Sequence, residues 1–412
     1  MKTLTKWHIF AFLMSSLLLF FIFYFHYFHY TYHNTLSSDN LNHNIFSKKH
    51  IKTPKNVKAV YVSQCAATNK RFRTYFEKLL KTTEINALVI DVKDYTGTVI
   101  FRDYGKGCKT NTLEKWIDKL HKIGVYTIAR ITVFQDPYYT QLHPESAVHK
   151  RSATTTPWKD WKGLSFVDVG DKNFRKYILK IAQDSYNKIG FDELNFDYIR
   201  YPSDGPMKDV FYSISGDENG NVKSKSDELE DFFIYLHKHL KKNIKGDKPK
   251  LSADLFGMTT TNFNDLFIGQ IQEKAEPYFD YLCPMVYPSH YPKWFLGFEN
   301  PNENVYSVVN YSLKKAVERL SATSTRIKTR KFFHPVSTST PNLYIKPSSD
   351  SQKLRPWLQD FNYGGNYDAN KVRAQIQAVY DAGLSSWMLW DSANSYTLDA
   401  LKKTKTGKNN NL

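Results

Sequence analysis

The stretch "GFDELNFDYIRYP", Gly190 to Pro202, lays two patterns on one segment. Side chains on a strand point alternately to its two faces. Leu194 and Phe196 therefore share one face with Asp192 and Tyr198, while Glu193, Asn195 and Asp197 share the other. A strand with grease on one side and an acid–amide–acid row on the other fits a closed barrel, whose outer face packs on helices and whose inner face fills the lumen. Pro202 holds Tyr201 in extended geometry and so fixes how Arg200 leaves the strand.

Working outward, apolar strand-like runs begin at Val57, Ile85, Val125, Phe191, Lys250, Tyr281, Lys331 ("KFFHPVS") and Ser385. Helix-like stretches lie between them, at Asn111–Ile123, Lys172–Ile189, Asp227–Asn243, Val305–Leu320 and Ala369–Ala382. This alternation predicts an α/β protein, a (β/α)8 TIM barrel with insertions. A doubly wound open sheet is the competing reading. It needs a glycine-rich phosphate loop after its first strand, and "YVSQCAATNKRF" has no glycine.

The 412 residues, 41 % of them hydrophobic, are enough for one large domain. Residues 9–30 carry no acid, lysine or arginine, follow Lys2 and Lys6, and are long enough to cross a bilayer. They predict a transmembrane anchor with a cytoplasmic N-terminus at 1–8 and an extracytoplasmic body; a cleaved signal peptide is the rival. Residues 31–54 read as a polar linker, 55–400 as the barrel and 401–412 as a basic tail. The three cysteines, Cys65, Cys108 and Cys283, have no zinc spacing, and no metal or cofactor is expected. A Cys65–Cys108 bridge is open to an exported chain, although spacing does not decide it. The net charge of +17 is scattered, and its two local runs, His237–Lys250 and the tail, lack the interleaved aromatics of a nucleic-acid surface. Nucleic acid is not an expected partner.

In such barrels the chemistry sits at the C-terminal ends of the strands. Polar residues collect there: Asp91, Arg130, Asp197, Arg200, Asp254, Tyr287, His290, His334, Trp390 and Asp391. The chain has no Gly-x-Ser-x-Gly elbow, no His-Glu-x-x-His pair and no P-loop. Two carboxylates flanking a scissile bond, with aromatic rings for sugar faces, is the glycosidase arrangement. Asp197 is expected as nucleophile or base and Asp254, among apolar neighbours, as general acid. Asp91, Arg200, Tyr287, His290, Trp357, Trp390 and Asp391 are expected to bind the substrate. Glu193 and Asn195, deeper on the strand, read as scaffold, with Arg130 or Arg200 as ion-pair partners for the acid. Residues 347–368, which contain Trp357, read as a loop over the mouth.

"INALVIDVKDYTG", "GFDELNFDYIRYP", "SADLFG", "CPMVYPSHY", "LRPWLQDFNY" and "WMLWDSANSY" occur in this order. Together they resemble the bacterial DUF4015 family, for which glycoside hydrolysis is proposed, over about Val57 to Tyr396. The resemblance implies a TIM barrel and a polysaccharide or oligosaccharide substrate, but no proven catalytic pair. Asp391 stands where the family pattern leads one to expect asparagine. A carbohydrate-binding or envelope-organising barrel without turnover is the alternative function.

Overall fold

The computed structural model describes residues 48–216, 223–242 and 247–404. The expected anchor at 9–30, most of the linker and most of the basic tail lie outside the described residues. Among the described residues no helix is long and apolar enough to cross a membrane.

Eight parallel strands close into one barrel: β1 (Lys58–Val62), β2 (Ala87–Lys93), β3 (Tyr126–Thr132), β4 (Glu193–Asp197), β5 (Lys250–Phe256), β6 (Tyr281–Met285), β7 (Trp357–Gln359) and β8 (Trp387–Trp390). Closure is made where Ala59 of β1 pairs with Met388 of β8. The main surrounding helices are α1 (Lys70–Thr82), α2 (Leu113–Lys122), α3 (Lys172–Asp184), α4 (Lys225–His237), α5 (Gln272–Ala275), α6 (Val305–Ser321) and α7 (Ala369–Asp381). Helix starts are set by side-chain caps: Asn69, Asp171, Ser224 and Asp368 each accept a backbone N–H of the following turn. In α2, Leu113, Trp116, Ile117 and Leu120 form the stripe that packs inward.

The strands are buried on both faces, and the apolar side chains divide accordingly. Leu88, Ile90, Ala129, Ile131, Leu194 and Phe196 join the layer between sheet and helices. Ala59, Tyr61, Val89, Tyr126, Ile128, Cys283, Trp357 and Met388 form a separate cluster in the lumen. The two-sided reading of Gly190–Pro202 therefore holds: the grease faces the helices and the polar row faces inward.

One strand is elsewhere than expected. "KFFHPVS" is not part of the barrel, because its backbone bonds locally: Val336 N–H donates to Leu343, and Ile345 N–H to His334. The seventh strand is Trp357–Gln359, inside the stretch expected to be a loop over the mouth. A three-residue strand is too short to display a period of two. Trp357 is consequently a lumen residue, and His334 is exposed outside the barrel.

The incoming segment closes the opposite end. Ile51 N–H donates to Asp192 (2.6 Å), Thr53 Oγ1 donates to Tyr126 Oη (3.1 Å), and Ile51 packs on the lumen cluster. With the base plugged, the strands' C-terminal ends form the accessible mouth.

Candidate active site

The polar residues of the lumen lie in levels. Deepest, Glu193 accepts from Arg355 Nη1 (2.8 Å) and from Tyr126 Oη (3.0 Å), and the Arg355 guanidinium lies 3.9 Å from the Tyr281 ring centroid. All of Glu193 and Arg355 is buried, so neither tolerates loss of the other. The expectation of Glu193 as scaffold fits this contact, but its cation is Arg355 rather than Arg130 or Arg200. Arg355 is brought in by β7, the strand that the sequence conceals.

The next level is set by strand register. Arg130 lies opposite Asp91 on one side and opposite Asn195 on the other, and Asn195 lies opposite Ser252. Arg130 is buried and donates to both Asp91 and Asp197, with Nε at 3.1 Å from Asp197 Oδ2. Its guanidinium stacks 4.8 Å from the Trp390 ring centroid. Tyr61 Oη donates to the other oxygen of Asp91 (2.5 Å). Burial pushes the Asp91 carboxyl up to about 6, against the opposing pull of Arg130 and Tyr61. The second Asp197 oxygen accepts from Tyr198 N–H (2.6 Å), so both of its oxygens are held by N–H donors.

Asp254 is held differently. Its Oδ1 accepts from Asn195 Nδ2 and from the Trp357 indole N–H, both at 2.8 Å. Its Oδ2 is buried and has no partner. Burial, then the negative charge of Asp197, hold the Asp254 carboxyl well above the usual carboxylate range. Two donors on Oδ1 make that atom the carbonyl oxygen and leave the acid proton to Oδ2. When Asp254 carries its proton, the O–H is buried with no acceptor.

The mouth is also where backbone strain collects. Among the described residues, the six non-glycine positions with positive φ are Tyr198, Leu266, Phe267, Trp294, Leu296 and Asn394, all in loops that follow strand C-terminal ends. Tyr198 (φ 50) comes immediately after Asp197. Such strain persists only where the surroundings fix it, and it gathers at ligand sites. Phe267 and Trp294 are 82 % and 65 % exposed, so their strained backbones present aromatic rings to solvent.

The structure thus brings Asp91, Asp197, Asp254, Trp357 and Trp390 together, with Tyr287 in the same lumen cluster. His290 is at the mouth beside Tyr287, Phe361 and Tyr363. Arg200 turns to its own loop, donating to Tyr201 O and Ser203 Oγ, and stacks on Tyr198. Asp391 spends both oxygens on backbone N–H groups of Ala393 and Ser395, shaping the turn after β8. Trp357 acts on Asp254 from within the barrel, not from a lid. Sequence reasoning named Arg130 only as an ion-pair partner for the deeper acid and left Tyr61 out of the site. A lone arginine inside "VYTIARITVF" was the available signal, since an unpaired charge is not buried in a strand.

A closed (β/α)8 barrel with two arginine-bound carboxyl groups and a third, buried one beside them at its mouth is a scaffold of the glycosidase type. The chain belongs to the DUF4015 family, described as "Putative glycosyl hydrolase domain", which residues 59–396 match. No curated protein sequence matches it. Among solved structures it is similar to the PgaB (BpsB) glycoside hydrolase domain from Bordetella bronchiseptica, with TM-score 0.58 and 12 % identity over 82 % of this chain and 95 % of that one. It is also similar to alpha-L-fucosidase isoenzyme 2 from Paenibacillus thiaminolyticus, with TM-score 0.52 and 11 % identity over 84 % of this chain and 48 % of that one. A hypothetical protein from Ruminiclostridium thermocellum ATCC 27405 is 26 % identical over 47 % of this chain and 96 % of its own, with TM-score 0.40. At these identities, the first two likenesses establish the fold.

Proposed function

We propose that this protein hydrolyses glycosidic bonds of an envelope or extracellular glycan, with Asp254 as general acid and Asp197 as nucleophile or base. The observation that carries the reading is the buried, unpartnered Oδ2 of Asp254 beside the Arg130-bound Asp197, in a carboxyl that burial and the Asp197 charge raise well above the usual carboxylate range. A glycosidic oxygen supplies the acceptor that Oδ2 lacks, and the leaving alcohol departs with that proton. Asp197 acts on the anomeric carbon, directly or through water. Arg130 keeps Asp197 and Asp91 in place, and Trp357 with Asn195 orients the acid. Asp197 and Asp254 are both buried, so a sugar reaches them by displacing the aromatic side chains of the mouth. Tyr287, His290, Trp390 and the exposed Trp294 and Phe267 are the proposed ring-stacking surfaces.

Location is part of the same reading. An uncleaved anchor at 9–30 with the body outside the cytoplasm is supported by the apolar run and by the Cys65–Cys108 bridge, since disulfides persist in oxidising compartments. The test of function is new reducing ends from a panel of envelope polysaccharides. Release by the wild type but not by Asp197→Asn supports the assignment, and equal release by both overturns it.

A further inference from the structure

The net charge of +17 is not spread evenly over the folded body. Two basic stretches far apart in sequence come to the same end of the barrel, the base opposite the carboxylates. One is the incoming segment, where Lys49, Lys52 and Lys55 are exposed. The other is the connection from α4 to β5, where Lys238, Lys242 and Lys248 are exposed. None of these six has an ion-pair partner among the described residues. Three acids of the base are already occupied, Asp280 by Lys241 (2.9 Å), Glu84 by Lys58 (2.7 Å) and Glu276 by Lys346 (3.0 Å), so that Asp247 and Asp350 are left to offset the surrounding lysines. Lys402 and Lys403, after β8, add to the same end: Lys402 O accepts from Glu84 N–H (2.8 Å), beside the end of α1.

A cavity of about 360 Å³ opens in this face, lined by Lys55, Lys250, Lys353 and Arg355. Two acids share its wall: Asp280 is paired with Lys241 and Lys250, and Asp350 accepts from Gln352 N–H (2.9 Å), while Arg355 is paired with Glu193 from the lumen side. Arg355 Nε, buried at the cavity wall, has no partner. The mouth loops differ, because their lysines are interspersed with Asp94, Asp136, Asp204, Asp265, Glu299 and Glu303.

We propose that the base of the barrel docks on anionic lipid headgroups, with the cationic cavity receiving one phosphate and the surrounding lysines the neighbouring ones. Charge complementarity selects the chemistry, since clustered lysines gain from a negative leaflet only when several reach it together. The position of the cluster selects lipid over a soluble polymer. Lys49, Lys52 and Lys55 are on the very segment that continues back to the apolar run at 9–30, so the basic face is continuous in sequence with the expected anchor. This contact is additional to that anchor and independent of the hydrolase assignment. Docked this way, the body presents its mouth away from the bilayer.

The body from Lys48 is a compact unit with its own closed core, so it can be tested without the apolar run. Its binding is measured by co-sedimentation with phosphatidylcholine vesicles and with mixed phosphatidylcholine–phosphatidylglycerol vesicles. The expected result is binding to the mixed vesicles only. Neutralising Lys49, Lys52 and Lys55 to Gln weakens it by about a hundredfold, at roughly a factor of five for each lysine at the surface. A control with Lys159, Lys162 and Lys293 of the mouth loops changed to Gln removes the same charge and weakens binding less than about threefold. All six residues are exposed, and retained melting temperature confirms folding. Equal weakening by the two variants, or no preference for phosphatidylglycerol, overturns the proposal. Binding to a soluble polyphosphate without binding to vesicles also overturns it.

Discussion

Replacing Asp254 by asparagine separates its chemistry from its architecture. The side-chain shape is unchanged, and the amide oxygen still accepts from Asn195 and Trp357 as Oδ1 does at 2.8 Å. Burial and the Asp197 charge favour the neutral form of Asp254, and in that form the substitution exchanges one uncharged group for another. Stability in urea should therefore change by less than about 1 kcal/mol. Asp254→Ala is different: Asn195 keeps Ser252 Oγ (3.1 Å), but the Trp357 indole N–H is left without an acceptor. That orphan alone costs about 1–3 kcal/mol, before the cavity is counted. In catalysis, Asp254→Asn removes the proton required by a sugar leaving group, a loss of about 10²–10⁴ in rate. The comparison uses aryl glycosides of the sugar that the polysaccharide panel identifies. A dinitrophenolate leaves without protonation, so for that substrate the loss should stay below about tenfold. An equal loss for both leaving groups, full activity with both, or a destabilisation as large as that of Asp254→Ala would refute the reasoning.

Arg130→Met strands Asp91 and Asp197 in the lumen and should cost about 3–5 kcal/mol in urea denaturation at neutral pH, with activity lost. Asp91 has its folded carboxyl raised from 3.8 to about 6, so its stabilising effect is complete below about pH 4 and is lost as pH rises through 6. The loss amounts to about 3 kcal/mol, and Asp91→Asn should flatten that limb of the stability profile while leaving the limb due to Asp360, also raised to about 6. Trp294→Ala should raise KM on a polysaccharide severalfold with stability unchanged within about 0.5 kcal/mol, because the ring is largely exposed. Reducing Cys65–Cys108, which spans 43 residues, should cost about 4 kcal/mol by loop closure, read as a fall in the urea midpoint.

Much of this site was legible because barrel strands write their two faces into alternate positions. Glu193, Asn195 and Asp197 were separable from Leu194 and Phe196 on that ground alone, and so were the strand ends bearing Asp91 and Asp254. What stayed hidden depended on contacts between distant segments. β7 has only Trp357, Leu358 and Gln359, and a longer seven-residue stretch upstream, "KFFHPVS", imitates a strand while pairing in a local hairpin. The partner of Glu193 was hidden for the same reason, since Arg355 enters the lumen with β7. Asp391 looked like a fourth carboxylate of the mouth, but only three-dimensional structure reveals that backbone N–H groups claim both of its oxygens. Arg200 has its place after β4, at the rim, where its Nη1 donates to Tyr201 O and Ser203 Oγ of its own loop.

General-acid catalysis by Asp254 requires a neutral carboxyl at the pH where Asp197 works as an anion. Infrared difference spectroscopy of the body, wild type minus Asp254→Asn, reads this directly from the carbonyl stretch of a protonated carboxyl group. Such a band is expected at pH 7, persisting above the pH at which Asp91 and Asp360 have titrated. A difference spectrum at pH 7 with only carboxylate bands would contradict it.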